Sequence, residues 1–162
     1  MPGDGTIHVV RHAHALDRAS FDGDDASRPL SQKGRRQAEA LAKRLSRSGA
    51  KRLWSSPALR CCETLEPLSA RSGVVLEASA ALAEGRPGSQ ALEHLVDAIG
   101  SGDHDVLVAC THGDVLDGML VSLAELGIDL GGPPSAAKAE VFALEILSGM
   151  PVHVERSAPP SG

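Results

Sequence analysis

Short apolar runs alternate along this chain with segments whose apolar residues recur at helical spacing, and no other feature restricts the fold as strongly. Residues 7–10, 52–55, 74–77 and 105–110 read as buried strands. Ala38, Leu41, Ala42 and Leu45 share one helical face, as do Leu59, Cys62 and Leu65, then Leu92, Leu95, Val96 and Ile99, then Val115, Met119 and Leu123. Ser31 suits an N-cap and Gly49 a stop for the first helix; Pro57 suits the first turn of the second, and Pro67 should disturb it. Strand followed by helix, repeated, predicts an α/β domain, a three-layer α/β/α sandwich on a mostly parallel sheet. Residues 140–146 and 152–155, joined through Ser148 and Gly149, read as a hairpin that adds an antiparallel edge.

The 162 residues leave room for one core, assigned to residues 1–156, with 157–162 as a loose tail. Aromatic residues make up only 2% of the chain and the formal net charge is -5, so stacking surfaces and a basic excess are both missing and a nucleic-acid polymer is not an expected partner. The strongest apolar run, 106–110, falls far short of the roughly 20 residues of a membrane span. Residues 1–5 lack the basic and apolar regions of a secretory signal, and a cytoplasmic location is expected. Cys61 and Cys62 are adjacent and Cys110 lies in a strand, which implies neither a disulfide framework nor a zinc site.

Ligands of open α/β sheets bind beyond the carboxyl ends of the strands. That rule gathers Arg11 and His12, Arg60, and His112 from three distant segments. Guanidinium forks can hold the three charged oxygens of a phosphoryl group, and a neutral imidazole is a competent nucleophile toward phosphorus. Neighbouring arginine charge should keep His12 neutral. His112 can then hydrogen-bond the transferring oxygens. Glu84, on an irregular stretch after the third strand, is the candidate acid for the leaving group.

Val9-Val10-Arg11-His12-Ala13, Arg28-Pro29-Leu30-Ser31-Gln32-Lys33-Gly34, Ser55-Ser56-Pro57 with Arg60, and Cys110-Thr111-His112-Gly113 occur in that order over nearly the whole chain. Together they resemble the histidine phosphatase superfamily, the phosphoglycerate mutase-like proteins. Within it, the short chain is most similar to SixA-type phosphohistidine phosphatases and to the histidine-phosphatase domain of actinobacterial MutT-type Nudix proteins. The resemblance implies a phosphohistidine intermediate on His12, a phosphate pocket of Arg11, His12, Arg60 and His112, hydrolysis by water, and no metal or organic cofactor. It implies as substrate a phosphorylated small molecule, a nucleotide or a protein phosphohistidine. Two departures stand out. Ala13 replaces the commoner Gly and should narrow the pocket, and Glu84 has no clear counterpart in SixA-type enzymes, which favours esters or anhydrides over phosphoramidates.

Other readings compete. His12-Ala13-His14 with Asp17 suggests a metal hydrolase, but that leaves Arg11 and Arg60 without work beside a dication. A phosphoglycerate mutase-like phosphoryl transferase needs longer insertions over the pocket, and a non-catalytic phosphate-binding module would not need both His12 and His112. Arg18 and Arg28, in the long loop 13–30, are expected in surface ion pairs with Asp17, Asp24 or Asp25. His8 and His14 carry no decisive signal.

Overall fold

A computed structural model describes residues 2–100 and 104–162. Six strands form one sheet: β1 (Gly5–Arg11), β2 (Arg52–Ser55), β3 (Leu76–Ala78), β4 (Asp105–Thr111), β5 (Val141–Leu147) and β6 (Met150–Ser157). The spatial order is β3-β2-β4-β1-β5-β6. β1, β2, β3 and β4 pair in parallel, whereas β5 runs antiparallel to both β1 and β6. The mostly parallel sheet with an antiparallel edge is therefore present. Among the described residues, no helix is long and apolar enough to cross a membrane.

The pleat sorts side chains onto two faces. Ile7 and Val9 of β1 join Leu107 and Ala109 of β4 in one buried cluster, covered by α3 (Gly88–Ala98) and α4 (Gly113–Glu125). Val10, Leu53, Val108 and Cys110 form the other, covered by α1 (Gln32–Leu45) and α2 (Leu59–Ser72). Helices on both faces give the expected three layers. Ser31 caps α1 by accepting a hydrogen bond from the Gly34 amide, an arrangement contributing about 1 kcal/mol. Gly49, after a short 3₁₀ turn, takes the left-handed conformation that ends it.

Local readings differ from the sequence expectation in three places. α2 passes through Pro67 instead of stopping, with Leu65 and Leu68 buried on either side of it. Its buried stripe is Cys61, Thr64, Leu65 and Leu68, one residue out of register with the expected face, because Arg60 also turns inward. β3 begins only at Leu76, and Val75 is 74% exposed at the sheet edge. At the C-terminus, Ser157 belongs to β6; beyond it, Arg44 donates to the Ala158 carbonyl and Gln37 to that of Pro160, which lays these residues along α1.

The α3–α4 crossing depends on a missing side chain. A Cβ on Gly88 would run into the α4 backbone at Val115, Gly118 and Met119. Gly88→Ala is expected to lower unfolding free energy by about 1–3 kcal/mol, as overpacking does. Gly100→Ala, at a position open to solvent, should stay within about 0.5 kcal/mol. Urea denaturation of the two variants checks this; equal effects would contradict it.

Candidate active site

The parallel register delivers the site. Arg11 pairs with Thr111, and Ser55 with Cys110, so β1, β4 and β2 end level with one another. The ladder runs one residue further on both sides of β4: the His12 amide donates to the Thr111 carbonyl at 3.0 Å and the Ser56 amide to the Cys110 carbonyl at 3.0 Å. Backbone geometry alone thus sets His12, Ser56 and His112 side by side. The His12 and His112 rings lie 5.6 Å apart, edge to face.

Arg60, in the first turn of α2, is 1% exposed. Its Nη2 lies 3.2 Å from Asp25 Oδ2, 3.3 Å from Glu84 Oε2 and 3.4 Å from His112 Nδ1. Its Nη1 donates to the Asp25 carbonyl at 2.9 Å. Arg11 donates through Nη1 to the Ala136 carbonyl at 2.6 Å and packs on Gly113, where a Cβ would come within 2.8 Å of the guanidinium carbon. Among the described residues, the Nε groups of Arg11 and Arg60 are the buried side-chain polar atoms that lack a protein partner. Donors of that kind are uncommon in folded chains and suit an anionic ligand.

His12 Nδ1 lies 2.9 Å from the Ala13 carbonyl. A carbonyl only accepts, so Nδ1 carries the proton and the neutral ring keeps its lone pair on Nε2. Burial pushes the His12 pKa down to about 3; the Ala13 hydrogen bond opposes the shift, and the charges of Arg60, His112 and Arg11 reinforce it. Burial, more than the arginine charge expected from the sequence, keeps the ring neutral. His112 Nε2 is held at 2.8 Å by Ser56 Oγ and lies 3.6 Å from Cys61 Sγ.

Glu84 completes the group. Arg60 and Arg18 hold its carboxylate, the latter at 3.0 Å, and its side chain is 46% exposed. The neighbouring Gly85 amide donates to Asp114 Oδ2, which fastens this stretch to the start of α4. A cavity of about 550 Å³ is lined by Arg11, His12, Glu84 and His112, together with Arg18 and Arg28. A smaller hollow of about 290 Å³ shares Glu84 and His112 and takes in Arg60. All five predicted site residues therefore meet at the carboxyl edge of the sheet.

Other placements depart from expectation. Ala13 is fully buried in the core cluster beneath α1, its amide donating to Thr64 Oγ1, and its methyl does not line the cavity. Arg28 is buried, not at the surface, and bonds Asp25 at 2.9 Å. Arg28's hydrogen bond, together with the charges of Arg60 and Arg18, holds the Asp25 carboxyl below the usual range against the opposing effect of burial. His14 bonds Ser31 Oγ through Nδ1. Among the described residues, no group of three or more His, Cys, Asp or Glu side chains is placed to hold a metal ion. Sequence reasoning overlooked Ser56 and the inward role of Asp25. The Ser55-Ser56-Pro57 motif offered a signal for the first; an acidic surface loop offered none for the second.

A family model described as the histidine phosphatase superfamily, branch 1, matches residues 7–91. Over 158 residues the chain is 30% identical to an 8-oxo-(d)GTP phosphatase of Mycolicibacterium smegmatis. That alignment takes in 96% of this chain and 48% of the relative, so the chain spans about half the relative's length. The protein histidine phosphatase SixA complexed with tungstate has a TM-score of 0.69 at 19% identity, covering 96% of each chain. A mycobacterial glucosyl-3-phosphoglycerate phosphatase complexed with VO3 has a TM-score of 0.69 at 16% identity, covering 98% of this chain and 100% of that one. Both share the fold.

The depressed His12 pKa has a consequence for stability. Between the ordinary value of 6.5 and about 3, the unfolded chain binds a proton at this position and the native chain does not. Stability is expected to fall as pH drops through that window. His12→Gln should flatten the decline between pH 6.5 and 4.5. Urea midpoints across that range check the sign; parallel profiles for the two proteins would contradict it.

Proposed function

Because the chain belongs to the histidine phosphatase superfamily, we propose that it hydrolyses a phosphorylated small molecule by way of a phosphoryl group carried on His12 Nε2. The observation that carries this reading is a buried, neutral imidazole that keeps its lone pair on Nε2, feels the charges of Arg60 and Arg11, and lies 5.6 Å from a second imidazole. Nε2 attacks phosphorus as the bond to the leaving oxygen breaks, and Glu84, which takes up a proton when the incoming phosphoryl group replaces its carboxylate beside Arg60, gives that oxygen the proton. Water then attacks the phosphohistidine and returns a proton to Glu84. The P–N bond breaks, inorganic phosphate forms, and His12 is neutral again.

Arg11 and Arg60 supply the positive charge for the five-coordinate phosphorus and His112 an N–H donor, a set that can stabilise these steps without a metal ion. Arg60 Nη2 can only donate, so Nδ1 of His112 is the acceptor that faces it and Nε2, held by Ser56 Oγ, carries the N–H that His112 can offer to a phosphoryl oxygen. The first amides of α4, at Gly113 and Asp114, border the cavity and add the favourable end of a helix dipole. Exposure of Glu84 gives water access to the acid, which favours hydrolysis over transfer to a second substrate.

A nucleotide is the substrate class that the 30% identical relative favours, since that protein is an 8-oxo-(d)GTP phosphatase. No Phe or Trp lines the cavity, so its ring contacts would come from histidines alone.

His12→Ala is expected to abolish turnover of p-nitrophenyl phosphate, and rapid quenching of the parent enzyme in alkaline detergent should trap a base-stable phosphoryl group at His12 that is lost on acidification. Retained turnover in the variant would overturn the mechanism. Glu84→Gln should slow alkyl phosphate esters by about 10²-fold and phosphoramidates much less. Equal losses on both would remove Glu84 from the acid role.

A further inference from the structure

We propose that the cavity contains a second anion subsite, formed by Lys138 with Arg28, so that the natural substrate bears a further phosphate or carboxylate beyond the phosphoryl group taken by His12. The inference rests on the phosphatase reading above and narrows its substrate class. A volume of about 550 Å³ falls within the roughly 300–1,000 Å³ of small-molecule sites, so most of the space serves the rest of the substrate.

That remaining wall is cationic. Lys138, Arg28, His14 and Arg18 line it together with Asp17 and Asp114. The acids nearby are engaged elsewhere: Glu84 by Arg60 and Arg18, Asp114 by the Gly85 amide, and Asp17 Oδ1 by the Ala19 amide. Arg28 spends Nε on Asp25 and Nη1 on the Leu16 carbonyl. Among the described residues, no carboxylate lies within ion-pair distance of the Lys138 ammonium. Burial, and then the charges of Arg11 and Arg28, push the Lys138 pKa down; Asp17 opposes them and Lys33 adds to them. A cation crowded by cations gains most when an anion arrives.

The backbone holds Lys138 in this place. The Ala139 amide donates to the Arg11 carbonyl at 3.0 Å, and the Ala136 carbonyl receives the Arg11 guanidinium. Ala139 itself adopts φ 66, a left-handed conformation that a non-glycine residue rarely takes. Strain of this sort persists where the surroundings impose it, and here it fixes the residue adjoining Lys138 against the phosphate-binding arginine. His14 borders the same wall, its Nδ1 bonded to Ser31 at 2.6 Å; burial and the charges of Lys138 and Lys33 lower its pKa, so it adds no charge to the subsite. With no aromatic side chain beyond histidine on these walls, charge is the chief source of affinity they offer.

Isothermal titration of the full chain with three non-hydrolysable probes tests the subsite: methylphosphonate, methylenediphosphonate and phosphonoacetate. The expected result is that at least one two-anion probe binds tighter than methylphosphonate by about tenfold or more, the worth of a charged hydrogen bond. That advantage should shrink about tenfold in Lys138→Gln and largely return in Lys138→Arg, with thermal melts verifying that both variants fold. Preference for the diphosphonate would identify a second phosphate, and preference for phosphonoacetate a carboxylate. If methylphosphonate binds but a second anion adds nothing, or its advantage survives in Lys138→Gln, the subsite is overturned and the phosphatase reading stands. If none of the three binds, both fail.

Discussion

Burying a guanidinium at the end of a sheet costs several kcal/mol unless charge and hydrogen bonds surround it, and Arg60 is buried almost completely. Its partners come from three separate segments: Asp25 from the long loop, Glu84 from the stretch after β3, His112 from the cap of α4. The requirement to satisfy one cation therefore fixes the relative positions of three loops that share no secondary structure. Asp25 is in turn held by Arg28 and Arg18, so the network extends to the rim of the cavity. The shift of the buried stripe of α2 by one residue is the local cost of pointing Arg60 inward.

The same burial that makes Arg60 expensive makes His12 useful. Removing the ring from water disfavours its charged form, and the Ala13 carbonyl selects the tautomer whose free nitrogen is Nε2. Nucleophile and clamp thus have opposite electrostatic needs met within one small volume. The imidazole is kept neutral by dehydration and by the cations around it, and of those cations Arg60 is balanced by two carboxylates. Glu84 stands between the two roles, since it both balances Arg60 and remains open to solvent.

Much of this was legible in the sequence. Alternating apolar runs and helical stripes specified the order of elements and the hairpin at the antiparallel edge, because sheet and helix periods differ and each run is buried on a definite face. The carboxyl-edge rule gathered Arg11, His12, Arg60 and His112, because parallel strands place their ends together whatever the loops do. What escaped notice depended on tertiary context. Pro67 is tolerated inside α2, with Leu65 and Leu68 buried on both sides of it. Val75 has strand propensity yet lies outside β3 at the sheet edge, where nothing covers it. The Ala13 methyl points into the core, a direction that local sequence does not encode. Asp25 and Lys138 sit in loops, where no periodicity indicates which way a side chain turns.

The central pairing of β1 with β4 joins residues such as Gly5 and Asp105, 100 positions apart in the chain. Contacts of such long range form late, because a long stretch of backbone must lose its freedom before they give anything in return. His12 leaves water only when β4 is in place beside it, with α1 and α4 packed over the two faces. Reactivity at the imidazole is accordingly a property of the completed molecule: a growing or partly folded polypeptide carries the same residues in the same order but has neither a dehydrated ring nor a converged set of cations, and it stays chemically silent until the last long-range strand has docked.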